Sequence, residues 1–270
     1  MTYFGILALF LLPPLFLLLI LVPRQVWRWL ARREQTVHWE PYLLVLIHIA
    51  VALIYTTPWD NYLVATGVWW YHPALVTGIT LGWVPIEEYT FFVLQTAITG
   101  LWTLAVLRWL APETLKVRSS RPLRVAISAF LFLLWLISCL LFFSIRPEFN
   151  YLTLILCWGL IPVLIQTSFG ADILLANWRS LALSALAPTI YLWLLDAAAL
   201  SWGTWTINPA QTTGVKLGII PLEEMLFFFL TNLIIGSGMI LTTSESSKER
   251  ARAWIEALRS RRTGTTQSIN

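Results

Sequence analysis

Seven stretches of this chain are each apolar enough and long enough to cross a lipid bilayer, and that leaves few folds open. A spanning helix needs about 20 mostly apolar residues, because its backbone polar groups must be satisfied inside the segment itself. The stretches fall at about 3–22, 42–59, 84–108, 123–144, 149–168, 179–196 and 218–242. Of the 270 residues 58% are apolar and only 12% are charged, against roughly 25% charged in an ordinary soluble domain. A soluble globular enzyme and a disordered chain are both excluded. The expected fold is an all-α integral membrane protein with seven transmembrane helices. The first stretch has no basic residue before it, runs long and lacks a small-residue cleavage site, so it reads as a retained span and not a secretion signal.

Lys and Arg are distributed unevenly between the two sets of loops. Arg24, Arg28, Arg32 and Arg33 follow span one, and Arg108, Lys116, Arg118, Arg121 and Arg124 follow span three. Arg179 and six residues of the tail (Lys248, Arg250, Arg252, Arg259, Arg261, Arg262) share that side, which leaves only Arg146 and Lys216 on the other. The positive-inside rule then puts the C-terminus in the cytoplasm and the N-terminus outside, in the cell membrane. A net charge of +4 does not point to nucleic acid, because these residues sit in short runs between apolar segments. Cys139 and Cys157 lie inside apolar stretches, and His38, His48 and His72 are few and scattered, so neither a zinc site nor another metal centre is expected.

The chain also matches itself. At a shift of 136, residues 60–100 and 196–236 share 17 of 41 positions without a gap, where biased composition would give roughly four. The shared residues include Asp60/Asp196, Gly67/Gly203, Trp69/Trp205, Gly82/Gly218, Pro85/Pro221, Glu87/Glu223, Glu88/Glu224, Phe91/Phe227 and Phe92/Phe228. Pro23/Pro162 and Trp39/Trp178 extend the match at a shift of 139. The expected organisation is a first repeat at 1–122, a connector span at 123–148, a second repeat at 149–242 and a cytoplasmic tail at 243–270. Three spans per repeat and one connector make the repeats parallel, so both copies of each motif face the same, external side. The tail is expected to hold a short amphipathic surface helix around Ala251–Leu258 and then to be disordered.

The matched motifs are acidic. Asp60 closes span two and Glu87-Glu88 open span three; Asp196 and Glu223-Glu224 do the same in the second copy. No Lys or Arg occurs among residues 58–83, and Lys216 is the one nearby cation. Pro followed by Glu at a helix start is ordinary N-terminal chemistry, since acids favour the positive end of the dipole. Against that, ionisable groups in spans are costly and are functional by default, and here they recur as a pair tied to an Asp and a Phe-Phe. Adjacent helical residues point about 100° apart, so Glu87 and Glu88 have different tasks, and the sequence does not decide which one lines a pocket. The apolar segments 61–83 and 197–217 hold Trp69, Trp70, Trp83, Trp202 and Trp205, either as an interfacial belt or as lids with indoles facing the acids.

Carboxyl groups crowded in an apolar, cation-poor site resist ionisation and can act as strong local acids, with a partner as base. Aromatic faces can stabilise a carbocation. Together these suggest proton-initiated rearrangement of a hydrophobic polyene. No G-x-G-x-x-G fingerprint is present, so no flavin or nicotinamide is expected, and no D-D-x-x-D run supports diphosphate chemistry.

The run Pro85-Ile86-Glu87-Glu88-Tyr89-Thr90-Phe91-Phe92-Val93-Leu94-Gln95-Thr96 resembles the signature of the small membrane-integral lycopene cyclases. Pro221-Leu222-Glu223-Glu224-Met225-Leu226-Phe227-Phe228 resembles the version in the partner subunit of that family. The chain is similar to the fused tandem form over spans one to seven. The resemblance implies protonation of lycopene's terminal double bond, ring closure on the cation and loss of a proton, giving β-ionone rings with no net redox change. It places catalysis on Glu87, Glu88, Glu223 and Glu224. Asp60 and Asp196 join them from the repeat comparison, with Trp69, Phe91, Phe92, Trp205, Phe227 and Phe228 as substrate-binding walls. It implies lycopene, the bilayer and other carotenoid enzymes as partners, and no nucleic acid. Met225 and Thr231-Asn232 depart from Tyr89 and Gln95-Thr96, so the half-sites are expected to be inequivalent. A proton-coupled transporter would place its acids at mid-membrane. A retinal photoreceptor would need a lysine within 218–242, and none is there. An end-group hydratase, trapping the same cation with water, is the nearest alternative.

Overall fold

The structure is a computed structural model that describes residues 1–22, 41–110, 117–143 and 146–264, with side chains to residue 260. Arg24, Arg28, Arg32, Arg33, Lys116, Pro23, His38 and Trp39 lie outside the described residues. Eight helices carry the fold: α1 (Tyr3–Leu21), α2 (Pro41–Ala65), α3 (Ile86–Leu110), α4 (Arg121–Phe142), α5 (Asn150–Ala176), α6 (Trp178–Ser201), α7 (Leu222–Thr243) and α8 (Glu245–Gly264). The first seven are long and apolar enough to cross a membrane and follow the seven stretches expected from sequence. The protein is an all-α, multi-pass membrane protein. Several helices run past the apolar stretch at one end; α2, for example, holds Pro58 inside it and continues six residues beyond 59, past Asp60.

The helices are not equivalent in their surroundings. α3 packs against α1, α2, α6 and α7, and α7 against α2, α3, α5 and α6, so these two form the centre. α4 packs against α5 and leaves Phe130, Leu133 and Leu140 exposed, which suits a helix whose outer faces meet lipid. α3 and α7 touch through Phe91–Phe228, Gln95–Thr231 and Thr99–Asn232. Contacts that advance in the same sense along both helices mean that the two run parallel. Gln95 Nε2 donates to Thr231 Oγ1 at 2.9 Å and Thr99 Oγ1 to Asn232 Oδ1 at 2.6 Å. The residues that depart from the Gln-Thr pattern in the second copy are thus the ones that bond across this central interface.

Between α2 and α3, and again between α6 and α7, the chain makes the same small construction. A short strand β1 (Trp69–Tyr71) is followed by a hairpin of β2 (Thr80–Leu81) and β3 (Val84–Pro85). β4 (Trp205–Ile207), β5 (Lys216–Leu217) and β6 (Ile220–Pro221) repeat it. β1 pairs antiparallel with β4, with Trp70 opposite Thr206, and His72 N–H to Thr204 O and Asn208 N–H to Val68 O extend the pairing. The two loops therefore meet each other directly. Trp69 and Trp205 point inward and are buried, whereas Trp70, Trp83 and Trp202 are exposed, so only the first two act as pocket-facing indoles.

The hairpin turns need glycine, with Gly82 at φ +70° and Gly218 at φ +62°. A Cβ on Gly82 would also come within 2.2 Å of Asn61 Oδ1, which accepts the Trp83 N–H at 2.7 Å. At Gly218 no atom lies within 4 Å of such a Cβ. Gly218→Ala should cost about 1–2 kcal/mol, the left-handed penalty alone. Gly82→Ala should cost clearly more, and thermal unfolding of the two variants in detergent would check the order.

The tail differs from its expectation. It is a helix over Glu245–Gly264, longer than Ala251–Leu258, and it is docked. Asp172 on α5, with a side chain 2% exposed, takes Arg250 Nη2 at 2.8 Å and Arg124 Nη1 at 3.1 Å. Trp254 packs edge-on against Phe169.

Candidate active site

Each P-x-E-E motif sits where a β-hairpin turns into a central helix, and the first turn divides the labour of its two glutamates. Glu87 Oε1 accepts the Thr77 N–H at 2.6 Å, and Glu223 Oε1 accepts the Thr213 N–H at 2.6 Å. These two carboxyls point back into their own loops and brace them. Glu88 and Glu224, one residue on and about 100° round the helix, face a common chamber instead. Glu88 Oε2 accepts from the Tyr3 hydroxyl at 2.6 Å and the Tyr71 hydroxyl at 2.9 Å. Glu224 Oε1 accepts from the Tyr151 hydroxyl.

The chamber is walled by Trp69, Trp205, Phe91, Phe227 and Phe228, and Asp196 also lines it. Asp196 Oδ1 accepts from Trp205 Nε1 at 2.9 Å, and its Oδ2 is buried without a partner. Glu88 from the first copy is near enough to repel both Asp196 and Glu224 from the second, so the carboxyls form one electrostatic group. Asp60 is fully buried, repels Glu88, and has no hydrogen bond to either oxygen among the described residues. It does not line the chamber. None of the described ion pairs involves these acids, and Lys216 lies exposed in its hairpin.

The chamber is small, about 30 Å³, with room for roughly one or two waters. Beside it lies a cavity of about 710 Å³ that runs between α2, α3, α5 and α7 to α8, where Ser247, Lys248 and Ala251 line it. Phe227 borders both spaces. Its ring stacks on Trp59 at 5.6 Å, and Trp59 stacks on Trp158 at 4.5 Å. Phe92 lines the larger cavity.

All twelve residues singled out from sequence thus cluster around one end of the central helices. The tyrosines were not among them. Tyr3 and Tyr151 begin spans one and five and do the same thing for equivalent glutamates. They correspond at a shift of 148, which pairs Pro162 with Pro14 in place of Pro23, and that register was the available signal. Tyr71 has no counterpart, since Ile207 stands at its place in the 136-residue shift.

The fold and this chamber define a polytopic membrane protein that brings buried, unpaired acids against aromatic walls beside a long apolar cavity. The chain belongs to the lycopene cyclase family, whose model matches residues 1–110 and 148–239 and so leaves out 111–147 and 240–270. It is 38% identical over 197 residues to a lycopene beta-cyclase of Halobacterium salinarum, covering 72% of this chain and 80% of the relative. It is 39% identical over 208 residues to a bifunctional lycopene cyclase/phytoene synthase of Sporisorium reilianum, and 34% identical over 194 residues to one of Aspergillus oryzae. Those matches take in 72% and 71% of this chain but only 29% and 33% of the fungal proteins. No solved structure matches the chain.

Proposed function

We propose that this chain closes β-ionone rings at the acyclic ends of lycopene, with carboxyl groups of both repeats serving one shared chamber. The observation that carries this reading is the meeting of Glu88 and Glu224, each held by a buried phenol and neither paired with a cation, behind walls of Trp and Phe. A protonated carboxyl adds its proton to the terminal double bond and leaves a tertiary cation. The neighbouring double bond attacks that cation and closes the six-membered ring. A second carboxyl takes a proton from a carbon beside the new cationic centre, which restores a double bond. One proton enters, one leaves, and no electrons are exchanged with a cofactor. The chamber's aromatic faces stabilise the cation through their quadrupoles, at about 0.5–2 kcal/mol each.

The polyene occupies the larger cavity, and its end reaches the acids when Phe227 swings aside, since a space of 30 Å³ cannot hold a ring. The acids lie on the side poor in Lys and Arg, with the N-terminus outside and the C-terminus cytoplasmic. Two parallel repeats, 1–122 and 149–242, supply the half-sites, joined by the connector 123–148 and followed by the tail 243–270. Neighbouring enzymes of carotenoid biosynthesis are the expected partners.

Glu87 and Glu223 act through the loops they brace. A glutamine at either place keeps an oxygen for the Thr77 or Thr213 N–H and should retain most of the activity. Alanine leaves that N–H unpaired, at about 1–3 kcal/mol, and should cut product formation at least about tenfold. Expression in lycopene-accumulating bacteria with chromatography of the pigments tests the activity itself. Cyclic carotenes at the expense of lycopene are expected, and unchanged lycopene at full expression would refute the reading.

A further inference from the structure

Among the residues of 60–100 and 196–236 that line the chamber, one differs in type from its counterpart at the 136-residue shift: the first repeat has Tyr71 where the second has Ile207. That difference rewires the hydrogen bonds. In the first repeat Trp69 Nε1 donates to the Tyr71 hydroxyl at 3.1 Å, and Tyr71 donates to Glu88 Oε2 at 2.9 Å. The same oxygen takes the Tyr3 hydroxyl at 2.6 Å. In the second repeat residue 207 has no hydroxyl, so Trp205 Nε1 turns to Asp196 Oδ1 at 2.9 Å and Glu224 keeps Tyr151 alone.

Each O–H donor on a carboxyl oxygen favours its charged form, and charge-assisted bonds are roughly twice as strong as neutral ones. Glu88 therefore has two groups favouring a carboxylate where Glu224 has one. Both act on Oε2, which leaves Glu88 Oε1 without a hydrogen bond among the described residues, on a side chain that lines the chamber. Tyr71 itself stays a neutral donor, because burial and then the charge of Glu88 raise its pKa well above the ordinary value.

Resting on the cyclase reading above, we propose that Tyr71 is a positioning residue that makes Glu88 the proton acceptor and thereby fixes where the ring double bond forms. The donor belongs to the second repeat, at Asp196 or Glu224. Its O–H bond breaks as a C–H bond forms at the CH carbon of the terminal double bond, which leaves the cation on the dimethyl carbon, and the ring C–C bond formed there then moves the charge to the methyl-bearing ring carbon. Three kinds of hydrogen flank that carbon: the ring-junction CH, a ring CH2 and the methyl group. Glu88 Oε1 takes one of them, and the electron pair of that C–H bond becomes the new double bond. The proton then leaves Glu88 for solvent, and the donor is recharged from solvent. A base held in one place removes one kind of proton and gives one ring isomer.

The test is the isomer pattern of the product in lycopene-accumulating cells, read by chromatography, absorption and mass. Wild type should give one ring isomer. Tyr71→Phe should lower turnover about tenfold and yield a mixture in which the double bond lies at more than one ring position. Trp205→Phe, which disturbs the other repeat, should lower yield without mixing the isomers. Should Tyr71→Phe fail to accumulate as folded protein, Glu88→Asp decides, because it withdraws the same carboxylate by one methylene and should mix the isomers as well. A single unchanged isomer from the folded Tyr71→Phe chain, or from Glu88→Asp where that variant decides, would overturn the proposal. Absence of any cyclic product from wild type would instead remove the cyclase reading on which it rests.

Discussion

Glutamine at Glu88 or at Glu224 should lower ring formation by a factor of about 10² to 10⁴, the usual worth of a positioned general acid or base. Glutamine keeps the shape of each side chain and an oxygen for the tyrosine hydroxyl, Tyr3 and Tyr71 on one side and Tyr151 on the other. What it removes is the ability to carry or accept a proton. The two losses should not multiply, because a cycle with either proton transfer abolished has already stopped, and residues that act as a unit are strongly non-additive. The double variant should therefore be about as inactive as either single one. Turnover of lycopene by purified protein in lipid, with folded protein confirmed by size exclusion, is the measurement. A Glu224→Gln chain with wild-type turnover would mean that Glu224 is not the donor and would leave Asp196 as the second repeat's reacting carboxyl.

The largest effect on stability is expected at the opposite end of the bundle. The side chain of Asp172 is 2% exposed and ties α5 to two other helices, through Arg124 of α4, Arg250 of α8 and the Ser120 N–H at 2.9 Å just before α4. Removing one partner of a buried ion pair costs about 3–5 kcal/mol, because the remaining charge is left uncompensated. In Asp172→Ala two guanidinium groups lose their carboxylate at once. α8 loses the two bonds that Arg250 makes to Asp172 and keeps the one from Arg250 Nη1 to Phe169 O. Since Ser247, Lys248 and Ala251 of α8 line the larger cavity, that cavity should open there. Lower thermal stability in detergent and faster proteolysis of the tail are expected, with Arg250→Lys intermediate, because an ammonium cannot reproduce the two-point contact.

The spans were legible because hydropathy alone decides them, and the ends that were missed are those where Asp60, Gly170, Asp172 or Asp196 interrupts an apolar run without ending the helix. The self-match of the chain has a related reason. The loop between spans two and three needs glycine at its left-handed positions and glutamate at its brace, and those needs preserve identities such as Gly82/Gly218 and Glu87/Glu223 at one fixed shift. Which glutamate enters the chamber was not legible. The answer lies in where the Thr77 N–H sits, and a loop's path is not written in helical periodicity.

The tyrosines were hidden for a different reason. A tyrosine at the start of an apolar span reads as an interfacial anchor, and Tyr3 and Tyr151 correspond at a different shift from the motifs they serve. Tyr71 opposite Ile207 reads as simple divergence until the hydrogen bonds of Trp69 and Trp205 are followed. The docking of the tail was not legible, because Arg250 finds its partner 78 residues away and no local pattern signals that pairing.

The central claim is that the chain's own acids start the reaction with a proton, and heavy water tests it most directly. Purified protein in lipid vesicles is given lycopene in deuterium oxide, without nicotinamide or flavin, and the products are weighed by mass spectrometry. Carboxyl protons exchange with solvent, so each ring closed should carry one deuterium, gained from the donor while one substrate proton is lost. Cyclic product without deuterium, or no cyclic product at all, would contradict the account.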